Sequence, residues 1–207
     1  LSGIRGMGLA AVMGAVAALA LPPLGAWPAL LVAFPVFLVL VEGRSRLRSA
    51  FGVGWAFGFG YFLVAFHWIG YAFLVDAATY LWMMPFAVGG LSAAMAIYWG
   101  IAAAAANRLG LQGLRLTLGF AALLAIAEWL RGHLFTGFPW AAPGLATDGM
   151  GAVAQLASVI GMPGLTVFVV LWAGLGFIVF RQASMRTWLS GVMLLSLLPA
   201  AWALGLH

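Results

Sequence analysis

From Tyr80 to Ala106 the chain reads YLWMMPFAVGGLSAAMAIYWGIAAAAA, with no Asp, Glu, Lys, Arg or His anywhere in the run. A helix crossing a bilayer needs roughly 17–25 mainly apolar residues, because the hydrocarbon core is about 30 Å thick and each residue rises about 1.5 Å. This stretch therefore reads as a membrane-spanning helix. The rest of the chain agrees. Of its 207 residues 66% are hydrophobic and 6% charged, and mean hydropathy is +1.14. A soluble domain carries about a quarter charged residues. There is too little polar surface here to cover a water-facing globule.

Working outward from that run, the chain divides into about seven candidate membrane helices: 7–21, 27–41, 50–75, 80–106, 114–135, 163–180 and 187–206, with an outer loop over 136–162. The expected architecture is one all-α integral membrane domain over 1–207. The first segment has a rival reading as a signal peptide, since Arg5 precedes it and Ala18-Leu19-Ala20 has the small-x-small form of a cleavage site. Pro22 and Pro23 follow too closely to favour cleavage, so a retained helix is expected. The chain begins at Leu1 and ends at His207 straight after an apolar run, which reads as a segment of a longer protein.

Two residue types are missing altogether. There is no Cys, and all nine basic residues are Arg. A thiolate nucleophile, a disulfide, a cysteine metal site and any lysine chemistry are therefore excluded from this chain. His67, His133 and His207 are too scattered to suggest a metal site, and no cofactor is expected. The pI near 10.8 does not indicate a nucleic-acid partner, because the arginines sit in short breaks between apolar runs. Cytoplasmic loops concentrate basic residues. With the N-terminus inside, eight of the nine arginines fall inside and Arg131 alone falls outside. This pattern predicts a cytoplasmic N-terminus and an outer-face exit, periplasmic in a Gram-negative cell.

With sides assigned, the polar residues gather at the outer end. His67, Trp68 and Tyr71 lie in the outer third of the third segment, Glu128 and Arg131 in the last turns of the fifth, and Phe138-Pro139-Trp140 in the loop beyond it. A proton-coupled transporter would carry acids or histidines near the midplane, which this distribution disfavours. Glu128 and Arg131, three apart, share a helix face and can pair. Two readings stand: a structural ion pair, or an arginine facing a lipid phosphate with Glu128 holding it. On the second reading Arg131→Ala slows the chemistry while the protein still folds. Gly54 and Gly58 have the spacing that permits close helix approach, either for packing alone or to leave a groove for an acyl chain. Pro139 ends the fifth helix before Phe138, and the irregular backbone that follows is expected to pack on the outer mouth of the bundle.

Glu128-Trp129-Leu130-Arg131-Gly132, continuing through Leu134-Phe135-Thr136-Gly137-Phe138-Pro139-Trp140, resembles the signature of the apolipoprotein N-acyltransferase membrane domain. Leu21-Pro22-Pro23-Leu24-Gly25, Gly58-Phe59-Gly60-Tyr61-Phe62 with Trp68, and Gln155-Leu156-Ala157-Ser158 before Gly161 are similar to the same family. The likeness implies a bacterial inner-membrane enzyme that moves an acyl chain from a phospholipid to the diacylglyceryl-modified N-terminal cysteine of a lipoprotein, through a thioester. It also implies that the Cys-Glu-Lys triad lies in a nitrilase-like domain of the same polypeptide, outside this chain. No catalytic residue is expected here. Glu128, Arg131, Phe138, Pro139, Trp140, Trp68, His67 and Tyr71 are the candidates for shaping a lipid-binding mouth. The alternative is a stand-alone small transporter or membrane scaffold. Coding sequence for a Glu, Lys and Cys-bearing region after His207 separates the two.

Overall fold

The computed structural model describes residues 3–182, and within them the chain is helical with no strand. The helices are α1 (Ile4–Ala18), α2 (Leu30–Glu42), α3 (Leu47–Ala65), α4 (Ala77–Tyr80), α5 (Met84–Arg108), α6 (Gly113–His133) and α7 (Ala157–Gln182). Four helical stretches are long and apolar enough to cross a membrane: Leu47–Ala65, Ala77–Arg108, Gly113–Thr136 and Pro143–Ile178. Two more, Ile4–Ala18 and Trp27–Glu42, are apolar but shorter. The expected helix over 187–206 lies outside the described residues.

Local chemistry sets the boundaries, and in three places it moves them from the expected ones. The third segment was expected to run to 75, but α3 stops at Ala65 and His67–Leu74 is a 3-10 helix. His67 Nδ1 lies 2.7 Å from the Val64 carbonyl oxygen, in the place that the Trp68 amide would take if the α-helix continued. The fourth segment does not run as one helix from 80. Asp76 caps the short α4, its carboxylate accepting from the Thr79 amide at 3.3 Å, and a 3-10 turn over Leu81–Met83 leads into α5. Pro85 then sits in the first turn of α5, where its missing N–H costs nothing. The expected irregular loop over 136–162 contains a 3-10 stretch, Pro143–Leu156, and α7 starts at Ala157 rather than 163. Gly161, with φ of 64°, interrupts α7 just before Pro163.

Small residues hold the bundle together. Lipid supplies little hydrophobic drive between helices, so association depends on close packing. Gly54 and Gly58 face Trp99, Ala96 and Ala103 of α5, the close approach that their spacing suggested. Gly14 of α1 and Gly60 of α3 meet across a second contact that is tighter still, backbone against backbone. On their other sides α2 and α6 pack against α7. A column of rings runs through the interior. Phe120, Phe37, Phe57, Trp99, Phe62, Phe66 and Phe138 succeed one another at centroid separations between 4.3 and 5.7 Å. Large apolar side chains also point outward, among them Ile97, Ile101, Leu118 and Ile126. A chain that is apolar both inside and out suits a lipid surround.

The turns sort to two ends. At one, the Asn107 side-chain amide donates to the Arg44 carbonyl at 2.7 Å and the Gly113 amide donates to the Glu42 carboxylate at 2.7 Å. At the other, residues 21–24, 64–71 and 140–145 surround one cavity.

Candidate functional site

The site is built on the last two turns of α6. Glu128 and Arg131 face inward there and are both buried. Arg131 Nε donates to Glu128 Oε1 at 3.0 Å, and its Nη2 pairs with Glu128 Oε2. Glu128 Oε1 also accepts from the Trp99 indole N–H at 2.8 Å, across from α5. The remaining guanidinium nitrogen, Nη1, donates to the carbonyl of Phe138 and, at 2.8 Å, to that of Trp140. The guanidinium carbon lies 5.0 Å from the centre of the Phe62 ring, within cation–π range. A planar fork of fixed donors suits such a task better than an ammonium would. Arg131 therefore ties three segments together. It is 1% exposed, and its donors are turned to protein rather than to lipid, the arrangement of the structural ion pair.

The loop reaches that clamp by a sharp reversal. After α6, Phe135, Thr136 and Gly137 take φ values of 51°, 72° and 80°. The Phe138 amide then returns to donate to the Arg131 carbonyl at 2.9 Å. Gly137 is required at the return, because a Cβ there would lie 2.2 Å from the Gly132 carbonyl oxygen. Phe138 is thereby set edge-on to Phe66 at 5.3 Å, and Trp140 stands 6.1 Å from Trp68.

A cavity of about 620 Å³ opens beside this loop. Pro22, Pro23 and Leu24 form one wall, Phe66, His67, Trp68 and Tyr71 a second, and Trp140, Ala141 and Leu145 a third. Its size falls within the range of small-molecule pockets, about 300–1,000 Å³. Its lining is almost wholly apolar and aromatic, with His67 and Tyr71, 5.8 Å apart, as the polar elements. A smaller cavity of about 290 Å³ lies on the other side of the loop, between Pro139, Ala142, Trp129 and the Met162-Pro163 kink of α7. Pro139 faces this one, while His67, Trp68, Tyr71 and Trp140 line the larger. Among the described residues no cluster of three His, Asp or Glu could hold a metal ion.

Three features beside the site were not among its sequence candidates. Trp99 lies 29 residues before Glu128, and its only signal was an indole within an uncharged run, a group that needs a partner when buried. The Pro22-Pro23-Leu24 turn carried no sign of facing a cavity. Tyr61, whose buried hydroxyl has no hydrogen-bond partner among the described residues, reads as a plain aromatic of α3. Trp99→Phe should keep the ring column but lose the bond to a buried carboxylate. Such bonds are worth about 1.5–3 kcal/mol, so a lower thermal midpoint in detergent is expected, with Trp55→Phe as the comparison at a neutral carbonyl.

The family model of the apolipoprotein N-acyltransferase N-terminal domain matches residues 13–175. The chain belongs to that family. An apolipoprotein N-acyltransferase from Rhodopseudomonas palustris is 44% identical over 167 residues, 78% of this chain and 31% of the relative. The apolipoprotein N-acyltransferase of Caulobacter vibrioides is 44% identical over 172 residues, covering 82% and 32%. That of Allorhizobium ampelinum is 41% identical over 179 residues, covering 82% and 34%. The chain thus spans about a third of the length of the curated relatives it matches and corresponds to their N-terminal part. Four long apolar helices and this family together make it a membrane protein.

Proposed function

We propose that this chain is the lipid-positioning membrane domain of an apolipoprotein N-acyltransferase, and that its outer cavity holds an acyl chain of the phospholipid donor. The supporting observation is convergence. Candidates from two separate segments, His67, Trp68 and Tyr71 in one and Trp140 in the other, join the Pro22-Pro23 turn around one apolar cavity at the end of the bundle opposite the arginine-bearing turns. The Glu128–Arg131 clamp acts on that cavity indirectly, by fixing the backbone of the loop that carries Trp140. The chain itself, without Cys or Lys, supplies no thiol nucleophile and no lysine. The thioester chemistry belongs to a nitrilase-like region of the same polypeptide, and the acceptor is the diacylglyceryl-cysteine of a lipoprotein.

The orientation proposed with it is the one the arginine pattern predicts. The turns bearing Arg44, Arg46, Arg48, Arg108 and Arg115 belong inside, and the cavity opens at the outer leaflet of the inner membrane, where the donor lipid lies. We propose the seven spans that the sequence predicts, of which 187–206 lies outside the described residues. The backbone contact of α1 with α3 at Gly14 and Gly60 favours a retained first helix over a cleaved signal.

The test removes the aromatic walls and leaves the clamp alone. Trp68→Ala and Trp140→Ala in the natural full-length protein should each weaken donor use about tenfold, the effect of losing roughly 1.4 kcal/mol of lipid contact. Both rings are half exposed, at 49% and 59%, so thermal stability should hold. The readout is acyl-enzyme formation from an alkynyl-tagged phospholipid. Unaltered rates in both variants would reduce these residues to interfacial packing.

A further inference from the structure

The end of the bundle opposite the cavity carries a site of its own. The α2–α3 turn and the α5–α6 turn meet there around a cavity of about 220 Å³. Its lining is mainly polar: Glu42, Arg44, Ser45, Asn107 and Gln112, with Val41, Gly110 and Leu111. Arg44 is held in place on both sides. Its Nε donates to the Leu40 carbonyl at 3.1 Å, and its own carbonyl accepts from Asn107 at 2.7 Å. Arg46 and Arg48 follow at the start of α3, and Arg108 and Arg115 stand on the helices that border the second turn. The acid lining this cavity, Glu42, is directed at the start of α6, where it accepts the Gly113 amide. One arginine, Arg44, lines this polar concavity, and four more stand on the turns and helix ends beside it. An arginine fork matches the oxygens of a phosphate, and basic pockets between helices at the membrane surface suit anionic headgroups.

We propose that this cavity binds the phosphate of an anionic phospholipid, as a structural lipid distinct from the acyl donor at the other end. The site requires only that these turns lie at a membrane surface. It stands or falls independently of the acyl-transfer reading, because its test reads binding and not activity.

The natural protein, purified in detergent, is titrated with phosphatidylglycerol, with phosphatidylcholine and with inorganic phosphate, and its thermal midpoint is followed. Phosphatidylglycerol should raise the midpoint and the other two should not. Arg44→Gln with Arg46→Gln should weaken that affinity on the order of tenfold or more. The corresponding Lys pair keeps the charge and the topology, and should lose much less. Arg5→Gln, on the same side but away from the cavity, should stay within about twofold. Equal protection by phosphatidylcholine overturns the proposal, as does protection by phosphate alone. Arg5→Gln weakening as much as the Gln pair overturns it too, by showing diffuse charge and no site. Should the Gln pair fail to fold, the lipid comparison on the unaltered protein and on the Lys pair still decides.

Discussion

Glu128→Ala is expected to cost about 3–5 kcal/mol of stability, the cost of breaking a buried ion pair from one side. Arg131 is 1% exposed and Glu128 7%, at the edge of the smaller cavity, so at most a cavity water can stand in for the lost carboxylate. The substitution strands the guanidinium charge, leaves the Trp99 indole N–H without its acceptor, and frees the Phe138 and Trp140 carbonyls to move with an unanchored arginine. A large fall in thermal midpoint and in the yield of monodisperse protein in detergent should follow. The reverse change, Arg131→Ala, leaves a buried carboxylate and should also destabilise. This differs from the second of the two sequence readings, on which Arg131→Ala slows the chemistry while the protein still folds. That expectation belongs to an arginine facing lipid, whereas the structure turns its donors inward. Removing both charges together, as Glu128→Gln with Arg131→Met, should recover part of the loss, because paired removal leaves no isolated charge. If Glu128→Ala unfolds at the unaltered midpoint, the pair does not hold the fold.

Gly60→Ala and Gly14→Ala should produce the second largest effect. A Cβ on Gly60 would sit 1.9 Å from the Ala11 carbonyl oxygen, and one on Gly14 would sit 1.9 Å from that of Phe57. Both obstacles are backbone, so no rotamer change relieves them, and the two helices must move apart. Overpacking typically costs about 1–3 kcal/mol when side chains can adjust. Here the upper part of that range or beyond is expected, read as a lower unfolding midpoint. Gly89→Ala and Gly90→Ala supply the contrast in α5. Nothing lies within 4 Å of a Cβ at either position, and the better helix propensity of Ala should leave stability unchanged or raise it by up to about 1 kcal/mol. If all four variants melt together, the α1–α3 contact is looser than described.

Much of the fold was legible because lipid forces a simple rule on the sequence. Backbone polar groups must be satisfied internally, so long uncharged runs such as 80–106 become helices. Local spacing carried further, giving the Gly54–Gly58 face and the Glu128–Arg131 pair. What stayed hidden was made by contacts between distant segments or by competition for a single hydrogen bond. The end of α3 depends on where the His67 ring lies relative to the Val64 carbonyl, and hydropathy is blind to that. The role of Arg131 as a clamp needed Trp99 from one helix and two carbonyls from a reversed loop. The cavity needed the Pro22-Pro23 turn brought beside Trp68 and Trp140. Composition shows which residues are aromatic or charged, but not which of them meet.

The central claim is that the outer cavity holds a phospholipid. A photo-crosslinking amino acid at Tyr71, on the cavity wall, tests it when compared with one at Ile101, which is 55% exposed on the outer surface of α5. After the natural protein is purified and washed in detergent, the Tyr71 position should still capture a phospholipid and the Ile101 position should not. Equal capture at both positions, or at neither, would contradict the account.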